Sequence, residues 1–201
     1  MGIDRAVTEF FADHRSAHLT DLMWSVTWLG NASTLHWAMI GLAATTLVLG
    51  RPFQAAAVVV GMVGASDISG SIKDLVGRDR PGSEFRAGDA LSSYAFPSGH
   101  TMGMTVLVGL VLMVAWRSLR TDRARRTAVG LGAVVVLAVG LSRIYLGYHW
   151  LTDVLAGLCF GLLWIATVVA SARGVKLQWA AAAERGWSEV PATVPVRQYL
   201  S

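Results

Sequence analysis

The stretch Ser142-Arg143-Ile144-Tyr145-Leu146-Gly147-Tyr148-His149-Trp150-Leu151-Thr152-Asp153 joins two long apolar segments. It places a fixed cation, an imidazole and a carboxylate where such groups are costly beside lipid. His149 and Asp153 are four residues apart, so a helix beginning at Trp150 would let the carboxylate reach the imidazole and fix its orientation and tautomer. An imidazole oriented in this way is a candidate nucleophile or base.

The same stretch also allows a purely structural interpretation. Tyr145, Tyr148, His149 and Trp150 would then form an aromatic belt at the membrane surface, and Arg143 would extend to the lipid headgroups. This stretch alone does not choose between the catalytic and the interfacial interpretation.

The composition of the rest of the chain is that of a membrane protein. Of its 201 residues 54% are hydrophobic and only 15% are charged, and the mean hydropathy of +0.50 is too high for a soluble domain of this length. We expect an all-α polytopic bundle with one transmembrane domain over residues 31–172. Residues 1–30 precede it, and a polar cytoplasmic tail, 173–201, follows. The arginines lie at segment ends and not on a basic face with exposed aromatics, which excludes a nucleic-acid partner.

Five segments are close to the ~20 apolar residues that cross ~30 Å of hydrocarbon. They are residues 33–50, 52–76, 100–116, 127–148 and 150–172. Arg51 and the five arginines of residues 117–126 place two of the turns in the cytoplasm by the positive-inside rule. The loop 78–97 and the stretch around His149 are therefore expected on the outer surface.

The N-terminal segment is predicted to lie along the membrane surface. Ile3, Val7, Phe10 and Phe11 share one helical face opposite Asp4, Arg5, Glu9 and Asp13, the pattern of an interfacial amphipathic helix. A second short helix is predicted over residues 19–29 and stops at Gly30-Asn31.

The second predicted span contains both small residues and a carboxylate. Gly61, Gly64 and Gly70 are expected to let this span pack closely against its neighbours. Asp67 is a functional candidate because it lies within the span. A structural hydrogen bond to a neighbouring helix is the favoured interpretation of Asp67.

Two further stretches at the predicted outer surface carry polar groups. Lys73 and Arg80 are seven residues apart and would share a helical face if the helix continued to Pro81, although Gly77 could interrupt it. Ser98, Gly99 and His100 open the third span, and helix N-termini bind anions. Gly99 allows close approach of the backbone, Ser98 supplies a hydroxyl, and His100 is a possible acid.

Together these groups predict an oxyanion site. Lys73, Arg80 and Arg143 are three permanent cations, opposed by the single carboxylate of Asp153. A metal site built from His100, His149 and Asp153 is the rival, but divalent metals prefer anionic ligands and three cations would repel them. We therefore expect neither a metal nor a cofactor.

The residues resemble the three-part signature of the type 2 phosphatidic acid phosphatase superfamily. The parts are Lys73 to Arg80-Pro81, Pro97-Ser98-Gly99-His100, and Ser142-Arg143 followed by His149 and Asp153, in the family's order and spacing. The helical pattern over residues 19–172 is similar to that of bacterial membrane lipid phosphatases. Many of those have a further N-terminal span, giving six, whereas this chain shows five.

The resemblance implies a role for each site residue. His149 would attack phosphorus and form a phosphohistidine, Asp153 would orient it, and His100 would protonate the leaving oxygen. The phosphate would be bound by Lys73, Arg80, Arg143, Ser98 and the Gly99 backbone N–H. No metal would be required.

The expected substrate is a lipid phosphate at the outer face of the plasma membrane, reached from the surrounding membrane lipids. A polyprenyl diphosphate is the first choice, and phosphatidylglycerophosphate, phosphatidic acid or a phosphorylated polyprenyl sugar stay open. Two other classes are a vanadate-dependent haloperoxidase, which shares the anion site, and a lipid-phosphate binder without catalysis.

Overall fold

The computed structural model describes the backbone of residues 2–188 and the side chains of residues 2–175 and Gln178. Within this range the chain is helical and contains no strand. The helices are α1 (Gly2–Asp13), α2 (Ala17–Trp28), α3 (Ala32–Val48), α4 (Pro52–Val76), α5 (Gly99–Ala115), α6 (Asp122–Tyr145) and α7 (Leu151–Ser188), with a 3₁₀ turn at Ser83–Phe85.

Three of these helices are long and apolar enough to cross a membrane, namely α4, α6 and the Leu151–Val175 part of α7. Helices α3 and α5 are also apolar and have 17 residues each. The all-helical membrane architecture predicted from the sequence is therefore confirmed.

Helix α5 lies at the centre of the bundle and packs against α3, α4, α6 and α7. Its fully buried side chains meet those of α4 and α6 in one apolar core, which includes Val58, Met102, Val106, Leu110 and Val139. The buried apolar surface therefore fixes α5, whose first turn carries Ser98-Gly99-His100, relative to the other site-bearing helices.

Close packing of α4 depends on two of the three glycines predicted for this role. A Cβ on Gly64 would lie 2.4 Å from Cζ2 of Trp164, and one on Gly61 would lie 3.1 Å from Leu110. The Trp164 indole also donates to the Gly61 carbonyl at 2.8 Å. The prediction for Gly70 is wrong, because a Cβ there would meet nothing within 4 Å.

The helix ends bring the three signature stretches together at one end of the bundle. Helix α4 stops at Gly77, which has φ +61° in the left-handed region. The helix therefore does not continue to Pro81, and the interruption at Gly77 that the sequence left open is the one observed, so Lys73 and Arg80 do not share a helical face. The chain instead folds back, so that Lys73 Nζ donates to the Pro97 carbonyl at 2.8 Å. Ser98 N donates to the Asp153 carbonyl at 3.0 Å, which joins α5 to α7.

The N-terminal helices pack on the bundle: α1 lies against α6 and α7, and α2 lies against α6. In α1 the apolar side chains of Ile3 and Phe10 are 63% and 56% exposed, whereas Asp4 and Thr8 are 4% and 0% exposed. Helix α1 thus turns part of its polar face onto the protein.

Helix α7 continues past the predicted end of the last span. The sequence predicted a span ending at residue 172 and a polar tail over 173–201, but the backbone is helical from Leu151 to Ser188. The rest of the predicted tail lies outside the described residues.

Candidate active site

His149 lies in the short connection between α6 and α7, next to Asp153 in the first turn of α7. Both side chains are buried, with 2% and 0% exposed. Asp153 Oδ2 accepts from Trp150 N at 2.8 Å and lies 3.5 Å from His149 Nδ1. The carboxylate therefore caps α7 and faces the imidazole at the same time, as the four-residue spacing predicted.

The other ring nitrogen of His149 faces a cation. Arg80 Nη1 lies 3.3 Å from His149 Nε2. Because a guanidinium can only donate, this contact assigns the acceptor to Nε2 and the ring hydrogen to Nδ1. Nδ1 lies 3.5 Å from Asp153 Oδ2 and forms no hydrogen bond among the described residues. Burial and the charges of Arg80, Arg143 and Lys73 lower the pKa of His149 well below its ordinary value. The imidazole is thus neutral at neutral pH, with its lone pair on Nε2, as a nucleophile requires.

Backbone carbonyls hold Lys73 and Arg80 beside His149. Lys73 Nζ donates to the carbonyls of Tyr94 at 2.7 Å and Pro97 at 2.8 Å. Arg80 donates through Nη1 to the Tyr148 carbonyl at 2.7 Å and through Nε to the Ser93 carbonyl at 2.7 Å. No carboxylate in the described part of the chain forms an ion pair with either cation, so both positive charges remain available to an anion.

Arg143 is the most deeply buried of the three predicted cations, with 3% exposed. Its Nη1 donates to Thr27 Oγ1 at 2.9 Å, and its guanidinium lies over the Tyr148 ring, 4.4 Å from the centroid. Its Nε is buried and has no partner among the described residues. A bound oxyanion would satisfy that donor.

The first turn of α5 carries Ser98, Gly99 and His100. Ser98 is fully buried, and its hydroxyl accepts from Thr101 N at 3.5 Å and Thr101 Oγ1 at 3.1 Å. This hydroxyl therefore caps α5, while the Gly99 and His100 N–H groups have no acceptor within the helix. His100 Nε2 donates to Asn31 Oδ1 at 2.9 Å, which fixes the ring against the start of α3.

A cavity of about 540 Å³ opens beside these groups, between α3, α4 and α5. Lys73, Gly99 and His100 lie on its polar side, and its apolar wall includes Leu35, Met39, Met62, Val63 and Ala65. The cavity therefore offers an apolar surface directly next to the cations.

Asp67 also lines this cavity. Its side chain is exposed and has no hydrogen-bond partner in the part of the chain that the structure describes. The predicted structural hydrogen bond to a neighbouring helix is therefore wrong.

Sequence reasoning missed the residues that hold the predicted ones in place. Arg78 bridges Asp153 and Asp4, with Nη1 2.6 Å from Asp153 Oδ1 and Nη2 2.7 Å from Asp4 Oδ2. Thr27 and Asn31 contact Arg143 and His100, as described above. These partners come from segments up to about 150 positions away, so no local spacing indicated them. The only signal was that Arg78 belongs to the same charged stretch as Arg80.

Among the side chains that the structure describes, residues 2–175 and Gln178, there is no group of three or more His, Cys, Asp or Glu that could hold a metal ion. His100, His149 and Asp153, which were the candidate ligands in the sequence, do not form one.

The similarity of this chain to known families identifies its own family. The family model of the PAP2 superfamily matches residues 54–175, a range that contains all three signature stretches. The chain belongs to the PAP2 superfamily. The predicted resemblance is thereby confirmed, and so is the prediction that the chain is a membrane phosphatase.

Two curated proteins are similar to this PAP2 protein. Phosphatidylglycerophosphatase B of Bacillus subtilis (strain 168) is 26% identical over 161 residues, which cover 80% of this chain and 78% of that protein. Lipid phosphate phosphatase delta of Arabidopsis thaliana is 31% identical over 77 residues, 37% of this chain and 18% of that protein.

Two solved structures share the PAP2 fold. The crystal structure of the first transmembrane PAP2 type phosphatidylglycerolphosphate phosphatase from Bacillus subtilis matches with a TM-score of 0.78 at 25% identity, covering 86% of this chain and 85% of that chain. The structure of Aquifex aeolicus LpxE matches with a TM-score of 0.66 at 15% identity, covering 83% and 94%. At that identity the second likeness shows the fold alone.

Proposed function

We propose that this PAP2 protein hydrolyses the terminal phosphate of a lipid phosphate or diphosphate through a phosphohistidine at His149. The observation that supports this most is the buried, neutral imidazole, whose Nδ1 faces Asp153 and whose Nε2 faces Arg80. This arrangement combines an oriented nucleophile with a cation placed where negative charge develops on the phosphoryl group.

In the first step, Nε2 of His149 attacks phosphorus and a P–N bond forms as the P–O bond to the lipid breaks. The positive charge that develops on the ring is offset by Asp153, which lies beside Nδ1–H. His100, protonated on both ring nitrogens next to the negatively charged substrate, gives its Nδ1 proton to the leaving lipid oxygen and keeps the Nε2 hydrogen on Asn31. Lys73, Arg80 and Arg143 stabilise the oxygens of the transferring phosphoryl group.

In the second step, water attacks the phosphohistidine and gives its proton to His100. The P–N bond breaks, inorganic phosphate leaves and neutral His149 is restored. His100 thus acts first as an acid and then as a base. Asn31, which accepts from His100 Nε2, holds the ring for both steps.

Two substrates have specific support. The apolar cavity wall beside Lys73 and His100 fits the chain of a polyprenyl diphosphate, the first choice from the sequence. The similarity to phosphatidylglycerophosphatase B of Bacillus subtilis favours phosphatidylglycerophosphate. Either lipid would present its phosphate to the cations while its apolar chain stays beside α3 and α4.

The proposal includes a membrane arrangement. Helices α3 to α7 cross the plasma membrane five times, with α1 and α2 at its surface. The 17-residue helices α3 and α5 are each ~26 Å long at 1.5 Å per residue, close to the hydrocarbon thickness. The arginines of residues 117–126 then face the cytoplasm and His149 the outer side.

The first experiment is release of inorganic phosphate by purified protein in detergent, with a chelator present. Polyprenyl diphosphate, phosphatidylglycerophosphate, phosphatidic acid and a phosphorylated polyprenyl sugar are compared. We expect wild type to release phosphate from at least one lipid, and His149→Ala to lose several powers of ten in rate. Full activity of a folded His149→Ala protein would contradict the nucleophile, and bound phosphate without release would indicate a binder.

A further inference from the structure

The carboxylate of Asp4 is buried at the active-site end of the bundle although it belongs to the N-terminal helix. Only 4% of the residue is exposed. Asp4 Oδ1 accepts from Thr152 N at 2.9 Å, and Oδ2 accepts from Thr152 Oγ1 at 2.7 Å and from Arg78 Nη2 at 2.7 Å. Both oxygens are therefore bound to groups that adjoin Asp153.

Arg78 connects this carboxylate to the catalytic pair. Its Nη1 donates to Asp153 Oδ1 and to Thr152 Oγ1, each at 2.6 Å, while Nη2 donates to Asp4. The guanidinium thus lies between two carboxylates. Asp153 Oδ1 is occupied by Arg78, and Oδ2 faces His149 and the N–H of Trp150.

The division of donors between the two carboxylates matters for His149. A guanidinium next to a single carboxylate tends to form a bidentate ion pair, in which it donates to both carboxylate oxygens. Such a pair with Asp153 would draw Oδ2 away from His149 Nδ1. Because Asp4 accepts from Nη2, the Nη1 and Nη2 donors are divided between the two carboxylates, Asp153 accepts from Nη1 alone, and Oδ2 stays directed at the imidazole.

We propose that Asp4 is a positioning residue for the reaction, which acts through Arg78 to hold Asp153 in the orientation that His149 requires. This inference rests on the proposed function of His149. It gives the N-terminal helix, which lies outside the matched range 54–175, a part in catalysis.

The test compares Asp4→Asn with Asp13→Asn, an exposed residue on the same helix whose side chain forms no hydrogen bond or ion pair among the described residues. Because small displacements of catalytic groups are costly, we expect Asp4→Asn to lower kcat roughly tenfold with little change in KM. Asp13→Asn should match wild type, and Asp4→Glu, which keeps the charge, should retain more kcat than Asp4→Asn.

A double variant separates positioning from a general structural effect. In an Asp153→Asn background, adding Asp4→Asn should cause no further loss, because the two residues act in one chain of contacts. A further loss of kcat as large as the one that Asp4→Asn causes in the wild-type background would overturn the proposal.

Arg78→Lys should reproduce the loss of kcat, since an ammonium lacks the paired N–H donors that bind both carboxylates. Wild-type kcat in folded Arg78→Lys would likewise overturn it.

His149→Ala in the same assay distinguishes a failure of the proposed function from a failure of the positioning role of Asp4. Activity in that variant would contradict the proposed function itself. An inactive His149→Ala protein together with wild-type kcat in Asp4→Asn would remove only the positioning role.

A second, independent observation lies at the opposite end of the bundle. A cavity of about 740 Å³ is lined by Arg51, Arg117 and Arg173, and no acidic side chain among the described residues lines it. Its apolar lining includes Leu112, Met113, Trp116, Val169 and Ala172. None of the three arginines forms an ion pair in the described part of the chain. Arg51 and Lys73 are 22 helical residues apart, or ~33 Å, so this cavity lies at the other membrane surface.

We infer that this cavity binds an anionic phospholipid with a hydroxylated headgroup, of the phosphatidylglycerol type. Three cations above apolar walls match a lipid phosphate with its acyl chains along α5 and α7. Gln54, which also lines the cavity, has a buried Oε1 without a partner among the described residues, and a headgroup hydroxyl would donate to it.

Retained lipid is measured by native mass spectrometry after exchange into phosphatidylglycerol or phosphatidylcholine. Wild type should retain phosphatidylglycerol, and the Arg51→Gln, Arg117→Gln, Arg173→Gln triple variant should bind it roughly a hundredfold more weakly, because three cations are lost. The matched control replaces Arg120, Arg123 and Arg126, exposed arginines at the same surface that do not line the cavity. Equal losses in both triples, or equal retention of phosphatidylcholine, would overturn the site.

Discussion

The signature stretches at residues 73–153 and the N-terminal segment at residues 2–31 contribute to the same site in different ways. The signature supplies the groups that would touch phosphate: His149, His100 and the three cations. The N-terminal segment supplies the groups that hold them: Asp4 through Arg78, Thr27 on Arg143, and Asn31 on His100. Reactive groups are thus concentrated in one region of the sequence, and their supports lie in another.

The two regions also differ in what their local patterns reveal. The signature contains cations and histidines in segments too apolar to tolerate them without a function. The pattern of the N-terminal segment indicates only two amphipathic surface helices. Its supporting residues are polar residues of common types, and their spacing is not different from that on other surface helices. Supporting contacts therefore become visible only once the helices are packed.

The largest effect in this comparison is expected for a cation of the signature. Arg80→Ala should lower kcat/KM by ~10²–10³, the usual cost of losing one donor to transition-state charge. It should also move the acid limb of the pH profile to higher pH. The pKa of His149 is lowered by burial and then by Arg80, so removing that charge raises the pKa and protonates the nucleophile at a higher pH.

The pH dependence of lipid phosphate hydrolysis checks this prediction. Arg86→Ala, in the same loop, is the control and should leave the acid limb unchanged, since its side chain makes no hydrogen bond among the described residues. A rate loss without a pH shift in Arg80→Ala would mean that Arg80 does not set the protonation of His149.

A smaller effect is expected for Asn31, the support of His100. Asn31→Ala removes the acceptor at 2.9 Å from His100 Nε2 and should lower kcat roughly tenfold, because the ring is then free to rotate. Steady-state kinetics on the lipid that wild type hydrolyses is the measurement. The exposed Ser33→Ala nearby should behave as wild type. If Asn31→Ala changed KM alone, the segment would act on substrate binding instead.

The smallest effect is expected for Thr27. Thr27→Val removes one hydroxyl from Arg143, a contact of 2.9 Å, but the stacking of the guanidinium on Tyr148 remains. Since the net contribution of one hydrogen bond is ~0.5–1.5 kcal/mol and Arg143 keeps its stacking partner, we expect a loss of a few-fold to about tenfold in kcat/KM. Thr45→Val, whose hydroxyl bonds only within its own helix, is the matched control. Equal activity in the two variants would confine the supporting role to Asp4 and Asn31.

The sequence by itself determined the membrane class, the helical architecture and the family. It also identified the residues of the candidate site, because an imidazole, a carboxylate and three cations in apolar segments have few structural explanations. The pairing of His149 with Asp153 followed from a spacing of four residues, which a helix start converts into contact. Their catalytic roles remain predictions.

Only the tertiary structure decided how the site is assembled. Gly77 ends α4, so Arg80 reaches His149 from a loop and not from a continued helix. Asp4 is buried against Arg78, although its helix alone indicated a surface position. Local patterns report which face of a helix is polar, but the partner of a buried charge is set by the packing of segments that are distant in sequence.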